Sequence, residues 1–165
     1  MNPLAYLIPA LYAALSIPPL VYDGQPVRVY EHLPGNNAGH YVLLTQPTDA
    51  DAGGARGCKH YSCTLLIDVV TQFATDLVTS VPAEALVSEI NERLRGVRLT
   101  LPAGWDCGPG QLELGSQLNE LDQELRAVRR LLRYRWELYY TTPAHQEIPL
   151  YGRETTSSYE ATSYR

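Results

Sequence analysis

A long stretch of alternating side chains, from Lys59 to Phe73, constrains this chain more than any other feature. Its even positions are mostly polar, and its apolar odd positions are Tyr61, Cys63, Leu65, Ile67, Val69 and Phe73. A period of two residues predicts a β-strand with one buried face. At about 3.3 Å per residue the strand spans roughly 50 Å, far beyond the common strand length. We therefore expect one end to extend past the core and to contact a neighbouring molecule.

A second alternating stretch runs from Leu132 to Tyr140. One side carries Leu132, Tyr134, Trp136, Leu138 and Tyr140, and the other carries Arg133, Arg135, Glu137 and Tyr139. The repeated pattern predicts another strand with one buried face. We predict that the two stretches are the central antiparallel strands of one sheet.

Two segments have the spacing of amphipathic helices. The first is predicted from Pro3 to Leu15, because Asn2 is a good N-cap and proline is well tolerated at the first helical position. The second begins at Val81 with Pro82 in its first turn, and Gly96 ends it. Each has apolar residues three and four apart, so we expect both helices to pack on one face of the sheet.

The segments before the long strand predict a hairpin and one further strand. Asp23-Gly24 is a strong turn signal between two short apolar runs. A strand is predicted from His40 to Gln46, and residues 47–57 are small, polar and acidic. Two interpretations of 47–57 remain open: a loop that becomes ordered on meeting a partner, or the tip of a long hairpin.

The second half of the chain is less regular. We predict short strands over 97–101 and 111–115 around a glycine-rich turn, and a helical turn over 117–124 that gives way to the late strand. The last residues, 141–165, contain too few aliphatic side chains to build a core. The overall prediction is an α+β fold: one domain over 1–140, an antiparallel sheet with two main helices on one face, and an extended or disordered arm over 141–165.

Size and charge exclude several classes of protein. A chain of 165 residues with 45% apolar content fits one core that buries about 70% of the extended surface. A net charge of -5 argues against binding nucleic acid through its phosphates. Three cysteines without C-x-x-C spacing favour a reduced intracellular protein. The apolar N-terminus is interrupted by prolines and has no basic flank, which argues against a signal peptide or a membrane anchor.

No motif for catalysis or cofactor binding is present in the sequence. The glycine pairs lack the strand-to-helix context of a nucleotide site, and no two histidines have the spacing of a helical metal site. We predict no catalytic residue, no metal ligand, no cofactor and no enzymatic activity.

The candidate functional residues are those of a contact surface. Arginines are dense from Arg126 to Arg135 and are flanked by acidic residues, which favours ion pairs, either on a solvated strand face or across a subunit interface. Asp68 interrupts an apolar run on the polar side of its strand, which favours a solvated or interface position. Tyrosines outside the apolar faces favour a docking arm. The predicted interface residues are Arg129, Arg130, Arg133, Arg135, Asp68, Tyr139, Tyr151, Tyr159 and Tyr164.

The order of these elements resembles the tail completion or tail terminator proteins of long-tailed bacteriophages. The resemblance covers about residues 3 to 140. Its most specific parts are the strand containing LLIDVVTQF, the helix PAEALVSEINERLRG after it, and the late strand RRLLRYRWELYY. None of these is a catalytic signature.

The resemblance implies a structural protein of the virion neck. Such a protein forms a ring, typically a hexamer, that caps the tail tube, stops its polymerisation and joins the tail to the head connector. Its partners would be further copies of itself, the tail tube protein and the connector or stopper protein. DNA would pass through the lumen without specific binding, no membrane would be involved, and assembly would take place in the host cytoplasm.

Two alternatives stay open on the sequence. A head completion protein, the stopper or adaptor of the same neck, would share the features above. A small α+β enzyme or ligand-binding domain is the alternative from another class.

Overall fold

The computed structural model describes residues 2–32, 39–55, 57–73, 78–121 and 126–141. Its helices are α1 (Leu4–Ser16) and α2 (Val81–Leu94). Its strands are β1 (Leu20–Tyr22), β2 (Gln25–Tyr30), β3 (Tyr41–Gly53), β4 (Cys58–Phe73), β5 (Trp105–Cys107), β6 (Gln111–Leu121) and β7 (Arg126–Thr141). The α+β prediction with two helices and a mostly antiparallel sheet is confirmed.

The strands of the described residues form one sheet in the order β1-β2-β3-β4-β7-β5, and β6 also pairs with β7. Neighbours are antiparallel except for β2 and β3, which are parallel. The two central strands pair along their full length, from Cys58 opposite Thr141 to Phe73 opposite Arg126. The prediction that they are the centre of one sheet is confirmed.

The core lies between the helices and one face of the sheet. The predicted alternation is confirmed in β7, because Leu132, Tyr134, Trp136 and Leu138 are at most 1% exposed. In β4 the side chains from Tyr61 to Val69 at odd positions are buried, whereas Phe73 is half-buried. They pack against Leu7, Leu11 and Leu15 of α1 and against Leu86, Ile90 and Leu94 of α2. Each such side chain gains about 1.5 to 3 kcal/mol from burial.

The two helices are fixed to each other at one end by Arg93. Its guanidinium donates to the carbonyls of Leu15 at 3.2 Å and Pro19 at 3.2 Å, and forms an ion pair with Glu89 one turn earlier on α2. These carbonyls lie at and after the end of α1, where helical partners are missing. One α2 side chain therefore caps α1 and fixes its position.

Several local predictions are confirmed. The Asn2 side chain accepts a hydrogen bond from the Leu4 amide at 3.0 Å, close to the start of α1. Asp23 and Gly24 both have positive φ, 50° and 72°, in the turn between β1 and β2. Gly96, with φ 75°, follows the end of α2.

The structure corrects the second half in two places. Residues 97–101, predicted as a strand, form only an isolated bridge from Arg98 to Pro109, and the strand β5 lies at Trp105–Cys107 instead. The helical turn predicted over 117–124 is wrong through Leu121, since β6 continues to that residue. The leucine spacing there fits a heptad, but β6 pairs with β7 from Gln111 to Leu121, so the tertiary contact decides the conformation.

Residues 47–53 belong to the far end of a long hairpin formed by β3 and β4. β3 continues to Gly53 and pairs with β4 after a bulge between Thr45 and Thr48. The loop interpretation is therefore wrong for residues 47–53. The predicted arm at 141–165 lies outside the described residues beyond Thr141, so the arm and the division at residue 140 stay predictions.

Candidate interaction surface

The side of the sheet opposite the helices, here called the outer face, carries most of the predicted interface residues. Strand register places Asp68 and Leu131 opposite each other on this face, with Leu43 on the far side of Asp68. Arg133 lies opposite Leu66 in the next row, and β6 contributes Leu114 and Leu118. None of the helices that the structure describes covers these residues, so the outer face is the surface available for contacts.

Asp68 is the most deeply buried carboxylate on the outer face. It is 1% exposed and forms a two-point ion pair with Arg129, whose Nε lies 3.2 and 3.1 Å from the two carboxylate oxygens. The solvated position predicted from its place on the polar side is wrong. Burial is possible because the guanidinium fork from the neighbouring strand satisfies both oxygens. A role for the pair in a subunit interface stays a prediction.

Arg130 lies on the other side of β7 from Arg129, facing α2. Its Nη1 is 3.2 Å from Glu84 of α2 and 3.1 Å from the Gln117 side chain on β6. The ion pairs predicted from the charge density are therefore partly contacts inside one chain. Arg130 joins a helix to the edge of the sheet.

A cluster of polar side chains surrounds Glu137 on the outer face. His60 Nε2 is 2.8 Å from one carboxylate oxygen, and the Ser62 hydroxyl donates to the other at 3.1 Å. Arg135 lies 3.5 Å from Glu137 and 3.4 Å from Glu113 of β6. Each of these groups is partly exposed, so the cluster orders three strands and contributes modestly to stability.

Arg133 differs from the other arginines predicted for an interface. It is exposed, and it has no hydrogen bond or ion pair to another residue in the ranges described. Its strand neighbours are Leu66 on β4 and Leu114 on β6. An unpaired guanidinium among half-exposed leucines suits contact with a partner that supplies a carboxylate.

Tyr139 is 37% exposed and stacks on the His60 ring, with centroids 4.5 Å apart and an angle of 9° between the planes. Its interface role stays a prediction. Tyr151, Tyr159 and Tyr164, also predicted for the interface, lie outside the described residues.

Strand β6 was missed as part of the candidate surface. Leu114 and Leu118 are 57% and 45% exposed, and both lie on the outer face. The sequence has leucines four residues apart in QLELGSQLNEL, but the prediction divides them between a short strand, which holds Leu114, and a helical turn, which holds Leu118. Only the register with β7 shows that these leucines share a face with Arg133.

The ionisable groups of the core have the environment of structural residues. Burial raises the pKa of the Cys63 thiol to about 12, with nearby carboxylates adding to the effect. It also raises the pKa of the Cys107 thiol. A raised pKa keeps these thiols protonated and unreactive at neutral pH.

The described ranges contain no group of three or more histidine, cysteine, aspartate or glutamate side chains arranged to hold a metal ion. Neither α1 nor α2 is long and apolar enough to cross a membrane.

Comparison with solved structures finds the same fold in a chain from the virion of a native gene transfer agent particle. The TM-score is 0.58 and the sequence identity is 22%. The match covers 81% of this chain and 96% of that chain. No protein-family model and no curated protein sequence matches the chain. At this identity the comparison establishes one thing: the chain shares the fold of a virion protein.

Proposed function

We propose that this chain is a structural component of a phage-like virion. The observation that carries the proposal is the shared fold, because the match includes almost all of a chain that is itself part of an assembled virion. The sequence resemblance to tail terminator proteins supports it from an independent direction. The polar and charged side chains of the outer face act as contact groups, and the chain makes or breaks no covalent bond.

The finer proposal is a tail terminator, which caps the tail tube and joins the tail to the head connector as a closed ring, typically a hexamer. A closed ring of more than two copies requires heterologous contacts, in which one surface meets a different surface of the next copy. The chain offers two dissimilar surfaces: the outer face around Arg133, and the acidic β3–β4 hairpin with Asp49 and Asp51 exposed. The guanidinium of Arg133 is opposite in charge to these two carboxylates, which favours contact between the two surfaces.

The charge of the whole chain suits a ring that surrounds DNA. A net charge of -5 disfavours lasting contact with phosphates, so DNA passes without being held. The virion neck is the location that follows from this role. A head completion protein of the same neck is the second candidate, since it would need the same ring and the same tolerance of passing DNA.

Deleting the gene from the genome that encodes the particle separates the two neck roles. Loss of a tail terminator leaves tube polymerisation unlimited, so electron microscopy should show overlong tubes and tailless heads. Loss of a head completion protein should leave tubes of normal length beside heads that do not join them. Normal, infective or transducing particles in the deletion strain would contradict both.

Arg133→Ala tests the contact surface directly. Because Arg133 is exposed and lacks a partner in the described part of the chain, the free energy of unfolding should change by less than about 0.5 kcal/mol. Joining of tails to heads in a complementation assay should fall at least about tenfold. Arg28→Ala is the matched control, since Arg28 is an exposed arginine on β2, away from the outer-face centre. Equal complementation by the two variants would contradict the proposed surface.

A further inference from the structure

The free edge of β6 is the feature of this fold that the proposed function leaves unexplained. β6 extends over 11 residues, and in the described ranges its one strand neighbour is β7. The backbone amides and carbonyls on its other side therefore lack a strand partner. Such an edge is a template for pairing with another chain.

From Leu114 to Leu118 this edge carries none of the usual protection against pairing, because the segment has no charged side chain, no proline and no bulge. Its sequence, QLELGSQLNEL, contains no proline and no lysine. The one bulge lies near its start, between Leu112 and Leu114, so the strand is regular from Leu114 onward. The exposed Leu114 and Leu118 add apolar area that a partner strand would cover. Natural edges of this length normally carry charges, proline or bulges when they must stay single.

The sequence of β6 is complementary to itself about Ser116. We propose that β6 pairs antiparallel with β6 of a second copy of this chain, around a twofold axis at Ser116. In this register Leu114 of each copy lies opposite Leu118 of the other, and Gly115 lies opposite Gln117. The two leucine pairs lie on the outer face, on either side of the axis, and directly opposite apolar pairs are the contacts that stabilise neighbouring strands.

Charge does not oppose this pairing. Glu113, the carboxylate nearest to the paired segment on its N-terminal side, lies 3.4 Å from Arg135 of its own chain. The register places the two Glu113 side chains far apart, because each is three positions from the axis. Like charges therefore do not face each other across the centre of the contact.

The proposed β6–β6 contact is isologous, so it is not the contact that closes a ring. A ring of more than two copies uses heterologous contacts, so twofold pairing through β6 joins copies before a ring forms or joins one ring to another. It does not rest on the virion role, and its test is made on the purified full-length chain.

Disulfide trapping tests the register. In a Cys58→Ser background, which removes the one partly exposed native cysteine of the described residues, S116C is oxidised and analysed without reductant. Opposite residues in an antiparallel pair have Cα atoms about 4.5 to 5.5 Å apart, within disulfide range. S116C should form covalent dimers. Q111C is the matched control, because Gln111 is exposed and lies outside the leucine pairs, and its two copies lie about 30 Å apart in this register, too far to bridge.

Leu118→Lys tests the contact without cross-linking. It places a charge in both leucine pairs, so light scattering and sedimentation should show the dimer dissociation constant raised about 100-fold or more. Circular dichroism confirms the fold, which should persist because Leu118 is 45% exposed. A chain that is monomeric at every concentration, a dimer that L118K leaves intact, or equal cross-linking of S116C and Q111C would overturn the proposal. An oligomer in which S116C does not cross-link would overturn it as well.

Discussion

Two long strands of the described sheet, β3 and β6, each have a stretch without a partner on one side, and these two edges are built in opposite ways. Beyond Leu43 the strand β3 no longer pairs with β2, so its far half is open on one side, like β6. That half contains Pro47, a bulge at Thr45 to Thr48 with Gln46 at φ 48°, and the exposed Asp49 and Asp51. β6 carries exposed leucines instead. An edge with proline, a bulge and charges is protected against pairing, whereas the segment of β6 from Leu114 to Leu118 has none of these and is suited to pairing.

The two long hairpins extend beyond the core but differ in the side chains that they expose. Both hairpins extend the sheet, but the β3–β4 tip is polar along residues 46–53, and the β6–β7 hairpin carries apolar and arginine side chains on the outer face. Length alone therefore does not identify an interaction surface. The side chains at the edge decide which hairpin is suited to pairing with a partner.

The largest expected effect on stability comes from breaking the ion pair between Asp68 and Arg129, which joins β4 to β7. Arg129→Ala leaves the Asp68 carboxylate buried without its main partner and should lower the free energy of unfolding by about 3 kcal/mol. This is the lower end of the usual range, because Arg129 is 29% exposed and water reaches the site. Urea unfolding measures it. The double variant Asp68→Leu/Arg129→Leu should recover most of the loss, since no charge is left buried; a double variant as unstable as the single one would contradict this account.

The next effect tests whether the chain is tightly packed at the start of β6 and has space for a larger side chain in the middle of the strand. A Cβ at Gly110 would lie 2.4 Å from the Leu94 carbonyl oxygen and 2.8 Å from the Trp136 indole nitrogen, so Gly110→Ala should cost about 2 kcal/mol through overpacking. Gly115→Ala is the control, because its Cβ would meet Leu132 at an ordinary 3.6 Å. Thermal unfolding should show a clear loss for G110A and little change for G115A. Equal losses would mean that β6 is packed uniformly.

Replacing the proline and one aspartate on the free edge of β3 should change stability little and increase self-association. Pro47→Thr with Asp49→Thr should change the free energy of unfolding by less than about 0.5 kcal/mol, yet increase self-association measured by light scattering. Glu92→Thr, an exposed position on α2, is the control for the lost charge. If the β3 variant associates no more than the control, proline and charge are not what keeps this edge single.

The smallest expected effect is a pH dependence of stability that comes from His40, beside the end of β3 that pairs with β2. Burial lowers the pKa of His40 below its ordinary value of 6.5, and its ring contacts Tyr22 and Phe73. Below pH 6.5 the unfolded chain binds the proton more readily than the folded chain, so stability falls as pH falls through this value. His40→Phe should flatten that part of the stability profile measured by urea unfolding. A profile with unchanged slope would place the pH dependence elsewhere.

Much of the fold could be predicted because its signals are local. The period of two in β4 and β7 and the three- and four-residue spacing in α1 and α2 follow from backbone geometry, and each side chain carries its part of the pattern. The pairing of β4 with β7 followed because each has one apolar face that needs the same core. The predictions failed where a segment fits two periods, as the leucines of β6 do, or where strand pairing extends a polar segment, as in β3.

The candidate site was predicted by residue type and corrected by register. The arginines of β7 stood out in the sequence, but their roles differ: Arg129 neutralises a buried carboxylate, Arg130 joins α2 to the sheet, and Arg133 is exposed. A change of one position along a strand moves a side chain to the other face, so neighbouring arginines have different surroundings. Sequence pattern places them on a strand, and only pairing gives each its partner.

By itself, the sequence determined the α+β class, the two long central strands and the helices that cover one face of the sheet. These follow from the periodic placement of apolar side chains, which requires no knowledge of distant residues. The tertiary structure alone decided that Asp68 pairs with Arg129, 61 residues away, and that one side of β6 has no strand partner in the described ranges. Contacts between distant segments depend on strand order and register, which are properties of the whole sheet and not of any one stretch of chain.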